Sequence, residues 1–216
     1  MKKRSSDPFD WDNISIEKYY DIMDVFDGDD DDITKNVRLV AIMLDKDESE
    51  IWDMDLAQAG DYISKLKFLS KFEFTRHPNM NIKLPGYDGL KVMSDVTKIN
   101  VAQYVDFQNF IKRPLKESME KLLSIFIIPD GCKYNDGYDI IKLQAAIRQN
   151  MSFRVAEGLL AFFLRKYGKL LIHSVIYYRR QIKMTRDPKM KERLEMTMEE
   201  MQKKLKDLTA LTGYIK

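Results

Sequence analysis

Acidic side chains at alternate positions from Asp27 onward are the best candidates for metal chemistry, because calcium-binding loops space their carboxylates in this way. The frame of such a loop is not kept. Its sixth position is Asp32, where Gly is needed, and its twelfth is Arg38, where a bidentate carboxylate is needed. We therefore interpret the run as a solvent-exposed acidic turn that binds no metal or cofactor and could contact another protein. The candidate contact residues are Asp29, Asp30, Asp31 and Asp32.

The two histidines, His77 and His173, are the side chains that could exchange protons near neutral pH. Neither has a second His or a Cys at metal-ligand spacing. A proton-transfer pair could be assembled from His173 with Asp139 or Glu157, but such a pair needs hydrogen-bond contact, which a sequence does not show. We interpret both histidines as structural.

Motifs that carry catalysis are missing from the sequence. It has no Gly-rich phosphate loop, no Ser/His/Asp signature and no His-Glu-x-x-His pair. The single cysteine, Cys132, excludes an internal disulfide and fits a reducing cytoplasm. We expect a protein that is not an enzyme.

A cationic strip near the C-terminus is the candidate nucleic-acid contact, since basic side chains beside Tyr177 and Tyr178 could follow a phosphate backbone. Its candidate contact residues are Arg179, Arg180, Lys183 and Arg186, and Lys189, Lys191 and Arg193 continue it. Four glutamates between Glu192 and Glu200 then interrupt the positive charge. We therefore favour a junction between two helices whose charges face solvent or the acidic part of the chain, and we keep DNA contact as an alternative.

An apolar stripe at helical spacing follows the cationic strip: Met190, Leu194, Met198, Met201, Leu205, Leu208, Leu211 and Ile215. Charges flank it on both sides. This pattern indicates a last helix that packs against the long helix before it or against a neighbouring copy. Met198, Met201 and Leu205 are its candidate protein-contact residues.

The charges of the chain are divided along its length. Residues 7–61 contain 18 acidic and four basic side chains, a net charge of −14, whereas residues 62–216 contain 29 basic and 16 acidic ones, a net charge of +13. Chains divided in this way can dock on themselves or on copies of themselves. We therefore expect a homo-oligomer or repeated copies in an assembly, held by contacts that weaken as salt is added.

The elements that must position these residues are mostly helices. Ser15, Asp47 and Asp55 are predicted N-caps in residues 1–70, an acidic module of about four helices. Residues 71–100 form a linker in which prolines and glycines break helices, and alternating apolar residues predict a small β-hairpin around Pro85–Gly89. Residues 101–216 form a basic helical domain, with helices at 101–113, from Pro114 to Ile128, at 138–149, from Ser152 to Met184 and from Asp187 to Gly213. The expected fold is a mainly α helical bundle with long C-terminal helices.

Membrane and export signals are not expected. The longest apolar-rich stretch, Gly158–Tyr178, contains Arg165, Lys166, Lys169 and His173, which makes it a poor membrane span. We interpret it as a buried helix. The basic residues after Met1 lead into Ser5–Pro8 with no apolar segment behind them, which argues against a signal peptide.

The N-terminal part resembles a known group of viral proteins. The segment Ile14–Leu69, with its opening 16–25, its acidic spacer, Asn36–Leu44 and Ser49–Ile51, resembles tail assembly chaperone-like proteins of tailed bacteriophages. This resemblance rests on hydrophobic patterns and carries no catalytic residue.

The rest of the chain is similar to uncharacterised virion-gene-cluster proteins of phages that infect Bacteroides-type hosts, including crAss-like phages. The matching segments are Val101–Phe110, Leu123–Pro129, Tyr134–Asp139 and the pair Phe162 and Phe163. With the N-terminal part, the resemblance covers about three quarters of the chain. It implies a structural or assembly protein of a tailed phage that is made in the host bacterial cytoplasm and has other phage structural proteins as partners.

Two roles fit this resemblance. The basic and Met-rich C-terminal helices go beyond a small tail chaperone and favour a component retained in the virion, such as a neck, tail or packaged cargo protein. The alternative is a transient cytoplasmic tail assembly chaperone. A DNA-contacting accessory protein is a third reading, based on the cationic strip.

Overall fold

The structure, a computed structural model, describes residues 7–72 and 78–211, with side chains as far as Leu208. Four helices form the first part: α1 (Ile16–Asp27), α2 (Asp32–Leu44), α3 (Glu48–Trp52) and α4 (Leu56–Lys65). The predicted N-caps are confirmed, because the side chains of Ser15 and Asp55 accept backbone N–H groups and Asp47 and Glu50 form a capping box.

Five further helices follow: α5 (Val101–Phe110), α6 (Met119–Phe126), α7 (Ile140–Asn150), α8 (Phe153–Met184) and α9 (Pro188–Leu211). Short 3-10 turns lie at Leu66–Ser70, Val96–Lys98 and Leu115–Glu117. The predicted break at Pro114 is present, and Ser152 is the N-cap of α8. A mainly α helical bundle with long C-terminal helices is confirmed.

A two-stranded antiparallel sheet accompanies the helices, but its pairing differs from the predicted hairpin around Pro85–Gly89. Strand β1 (Leu90–Val92) pairs with β2 (Ile127–Pro129), which follows α6. The expected turn is present, since the Tyr87 N–H donates to the Leu84 carbonyl at 3.3 Å, yet the residues before it are not a strand. The helix predicted to reach Ile128 ends two residues earlier, because Pro129 disfavours helical backbone at the residue before it.

The core is centred on aromatic residues of α5, α6 and α8. The Phe126 and Phe163 rings stack with centroids 4.1 Å apart, and the Phe107 ring meets the edges of Phe126 and Tyr167. All four side chains are buried. Helices α5, α6 and α8 therefore meet at this cluster, where each contributes rings to the other two.

The start of α1 is tied to the start of α8. Ser15 and Ser152 form an antiparallel bridge, the Ile16 N–H donates to the Met151 carbonyl at 3.2 Å, and the Phe153 N–H donates to the Ile14 carbonyl at 2.6 Å. Close by, the Tyr19 ring stacks on the Phe153 ring at 3.7 Å. The N-terminal helices are thus bound to the rest of the chain by backbone hydrogen bonds as well as by side chains.

A buried polar contact also crosses between the predicted acidic module and the basic domain. The Tyr20 hydroxyl donates to Glu120 Oε2 at 2.7 Å and accepts the Met119 N–H at 3.2 Å. One continuous group of buried apolar side chains includes members from residues 7–70, 71–100 and 101–208. The division into residues 1–70, 71–100 and 101–216 stays a prediction, and the three parts pack on one another.

Gln103 provides a test of how α5 is held on α6. Its side chain accepts the Asn100 N–H at 3.0 Å as part of a capping box and donates to the buried Ile125 carbonyl at 2.6 Å. Gln103→Leu leaves that carbonyl unpaired, so we expect the free energy of unfolding to fall by about 1–3 kcal/mol in urea titrations. Gln149→Leu, at an exposed site, should change it by less than about 0.5 kcal/mol. Equal losses in the two variants would contradict this account.

Candidate interaction surface

Helices α8 and α9 form an antiparallel pair that extends beyond the core. Three residues join them, and Leu208 near the end of α9 lies against Gly168 in the first half of α8, where an added Cβ would stand 3.2 Å from Leu208 Cδ2. Among the described side chains, none from residues 176–200 belongs to the core. We call residues 172–200 the arm.

The end of the arm that joins the core, which we call the root, is held by polar and apolar contacts. Lys204 Nζ donates to the Tyr104 hydroxyl at 3.0 Å and pairs with Glu200 at 2.8 Å. Met201 and Leu205 are partly buried and pack on the core, and Met198 is half-buried in the arm. The packing of the last helix against the long one is thus confirmed. The predicted contact residues Met201 and Leu205 attach the arm to its own chain.

The outer surface of the arm exposes large apolar side chains. Met184 is 77% exposed and Met196 is 65% exposed. The others with more than a third of their surface exposed are Ile172, Ile176, Tyr177 and Met190. The interpretation of Gly158–Tyr178 as a buried helix holds only for the part that lies on the core. The second part extends past the core, so the same helical pattern faces solvent there.

The predicted cationic strip lies on this surface. Arg179, Arg180 and Lys183 follow Ile172 and Ile176 at spacings of three and four residues, so all five share one face of α8. Arg179, Arg180, Lys183 and Arg186 are exposed. In residues 7–72 and 78–208, no carboxylate forms an ion pair with any of these four cations. The strip is therefore positive charge that the described chain does not neutralise.

We call residues 176–193, the end of the arm around the α8–α9 junction, the tip. The tip contains seven cations and two carboxylates, Asp187 and Glu192. Cations alternate there with exposed isoleucine, tyrosine and methionine. Such a mixture suits a partner that has carboxylates around an apolar centre.

The acidic run Asp29–Asp32 lies at the turn between α1 and α2 and is exposed. Asp31 caps α2, and its hydrogen bonds with Thr34 and Ile33 lower the pKa of its carboxyl. Asp30 pairs with Arg38. We call residues 26–33 the corner: five carboxylates lie there between two exposed apolar side chains, those of Phe26 and Ile33, which is 65% exposed.

The structure gives no cation site in the corner. Among the described residues, no group of three or more His, Cys, Asp or Glu side chains is placed to hold a metal ion. Helix formation explains this, because Asp31 turns its carboxylate onto the first N–H groups of α2. The exposed acidic turn inferred from the sequence is confirmed in its position.

In the part of the chain that the structure describes, three cations form ion pairs between the two charged parts. Lys116 lies 2.7 Å from Asp27 and 3.7 Å from Asp24. Two further pairs join Arg148 to Glu17 and Arg154 to Asp12, at 3.4 and 3.5 Å. The acidic partners of these cations lie in α1 or just before it. The ion pairs between the two charged parts therefore do not involve the tip.

The candidate proton-transfer residues are not brought together along α8. His173 is exposed, and it lies 16 residues from Glu157, about 24 Å along the helix. The Asp139 carboxylate is the N-cap of α7 and accepts the N–H groups of Ile141 and Lys142. His77 lies outside the described residues.

A cleft of about 480 Å³ lies at the root of the arm. Burial raises the pKa of Tyr167 there to about 12. Burial acts to lower the pKa of Lys204, but its hydrogen bonds with Glu200 and Tyr104 prevail and raise it. Both groups are therefore protonated at neutral pH, where they supply hydrogen bonds and neither acts as a base.

Comparisons with protein-family models, with curated proteins and with solved structures find no match for this chain. No helix in the described part of the chain combines the length with the apolar character that crossing a membrane requires. The exposure of Ile172 and Ile176 on the arm was missed by the sequence reasoning. Its signal was present, because the 158–178 stretch is longer than the core that could cover it.

Proposed function

We propose that this chain is a structural or assembly protein of a tailed bacteriophage, made in the host bacterial cytoplasm and retained in the virion as a neck, tail or packaged cargo component. The observation that carries the contact role is the arm, where the exposed side chains of Ile172 and Ile176 share one face of α8 with unpaired cations. The resemblance of Ile14–Leu69 and of the later segments to phage assembly and virion-cluster proteins supports the phage setting.

The composition of the arm favours a protein partner. A phosphate backbone needs cations but gains little from Ile172, Ile176 and Met184, which are exposed on the same arm. A protein surface uses both, because its centre buries apolar side chains and its polar rim pairs with charges. Other phage structural proteins and further copies of this chain are therefore the proposed partners.

Mass spectrometry of purified particles tests retention in the virion. We expect peptides of this chain in mature particles at a constant ratio to the major structural proteins, and the same ratio after a further density gradient. The transient tail assembly chaperone would be abundant in the infected cell but absent from mature particles. That outcome would overturn the retained-component proposal.

The unpaired cations of the tip support a second candidate, a DNA-contacting accessory protein. Arg179→Glu combined with Arg180→Glu reverses two of them, and Lys133→Glu combined with Lys142→Glu changes the net charge equally at exposed sites outside the arm. In gel-shift assays of duplex DNA at several salt concentrations, we expect both variants to behave alike. A shift that the tip variant loses and the control keeps would establish the DNA-contacting reading instead.

A further inference from the structure

We propose that the tip of one copy docks on the corner of a second copy, so that the chain associates with itself head to tail. The occupant of the exposed face of the arm is then the α1–α2 turn of another molecule. This inference rests on the arm as a protein-contact surface, which is part of the proposed function, and it is independent of the phage setting and of retention in the virion.

The two surfaces are complementary in charge and similar in apolar character. The corner contains five carboxylates and no cation, and the tip contains seven cations and two carboxylates. The corner also exposes Phe26 and Ile33, and the tip exposes Ile176, Tyr177 and Met184. Apolar side chains can therefore be buried between the copies while opposite charges pair around them.

Among the described residues, no ion pair joins the tip to the corner within one molecule. The Tyr19 ring stacks on the Phe153 ring at 3.7 Å, so α1 lies at the start of α8. Arg179 is 26 residues farther along α8, about 39 Å, whereas Asp27 is only eight residues, about 12 Å, from Tyr19. The backbones of Asp27 and Arg179 are then at least about 15 Å apart, beyond the reach of an ion pair.

Residues of the corner differ in whether they are free to pair with another molecule. Asp30 is held by Arg38, Asp31 caps α2, and Asp27 binds Lys116. Asp29 and Asp32 are exposed, and no ion pair is formed by either with the described cations. These two carboxylates can therefore be reversed while the internal contacts of the corner are kept.

The contact joins two different surfaces, so each copy keeps one free tip and one free corner after the first contact forms. Such a heterologous contact repeats until the copies close into a ring or extend as a filament. This geometry suits a protein used in many copies within one assembly.

The test removes most of the net charge from one surface at a time. One variant lowers the net charge of the tip from +5 to +1 with Arg179→Glu and Arg180→Glu, and the other changes that of the corner from −5 to −1 with Asp29→Lys and Asp32→Lys. Sedimentation velocity of the full chain at increasing concentration measures association. We expect wild type to associate at low salt and each variant alone to do so at least about tenfold more weakly, because one of the two surfaces has then lost most of its net charge.

Mixing the two variants is the decisive measurement. The unchanged tip of the corner variant can then dock on the unchanged corner of the tip variant, so we expect association to return in the mixture. Raising the salt concentration from about 0.05 M to 0.5 M should weaken it in wild type and in the mixture alike. The control Lys133→Glu with Lys142→Glu should associate as wild type does.

Three outcomes would overturn this inference: a wild type that stays monomeric at every concentration, association that neither reversal weakens, or a mixture that stays apart. Circular dichroism of both variants, which reports helix content, shows that they remain folded. If self-association fails while the chain is found in mature particles, the head-to-tail contact is wrong and the virion proposal stands. If association is shown and the chain is absent from particles, the head-to-tail contact stands and the virion proposal is wrong.

Discussion

Phe163→Ala is expected to lower the free energy of unfolding by about 3–5 kcal/mol, the largest effect of a single substitution that we predict. Phe163 is fully buried, and its ring stacks on Phe126 with centroids 4.1 Å apart. Its removal leaves a cavity between α6 and α8 that surrounding side chains fill only in part. Because a domain is stable by about 5–15 kcal/mol, a large fraction of that stability is lost.

The adjacent phenylalanine is a matched control for this substitution. Phe162 is only partly buried, and Lys166 Nζ lies 5.5 Å from the centre of its ring. We expect Phe162→Ala to cost less than half as much as Phe163→Ala in urea titrations followed by circular dichroism. Similar losses would mean that the core is not centred on the stack between Phe126 and Phe163.

Raising the pH above about 10 is expected to unfold the protein. Burial, with hydrogen bonds to carboxylates, raises the pKa of Tyr20 and Tyr134 far above the ordinary value, and burial raises the pKa of Tyr167 to about 12. The unfolded chain releases these protons near pH 10 and the folded chain holds them. The stability that these groups contribute is therefore fully present below pH 10. Between about pH 10 and 12, the three tyrosines together lower the free energy of unfolding by about 4 kcal/mol per pH unit.

Tyrosine-to-phenylalanine variants separate this effect from general alkaline damage. The Tyr134 hydroxyl donates to Asp106 Oδ2 at 2.8 Å, and Tyr134→Phe should reduce the pH slope by about a third. Tyr177, which is 57% exposed, serves as the control, since its surroundings change little on unfolding. Chemical denaturation at several pH values measures each slope. An unchanged slope in Tyr134→Phe would contradict the explanation that buried tyrosines cause the loss of stability at high pH.

Helix positions could be predicted from the sequence because their signals are local. Ser15, Asp47, Asp55 and Ser152 are cap-forming residues, and each lies at the start of a helix in the structure. The division of charge could also be predicted, since the net charge of a segment is counted from its residues without knowledge of the fold. Both kinds of inference use residues fewer than five positions apart or a simple count.

Contacts between distant residues could not be predicted in the same way. Strand β1 pairs with a strand more than 30 residues away. Tyr20 contacts Glu120, and Tyr104 contacts Lys204, in each case across 100 residues of sequence. No spacing rule connects such residues. The arm was missed for a related reason: the pattern of α8 is helical throughout, and only the size of the core decides where burial ends.

The tie between Ser15 and Ser152 has a consequence for synthesis on the ribosome. Residues 14–16 can form their backbone hydrogen bonds only after residues 151–153 have been made, more than 130 residues later. At about 5–20 residues per second, that delay lasts roughly 7–30 s. During that time Ile16 and Tyr19 lack the contacts that they make with Met151 and Phe153 in the folded chain. The nascent chain is therefore most open to wrong contacts, and to protection by a chaperone, before α8 emerges.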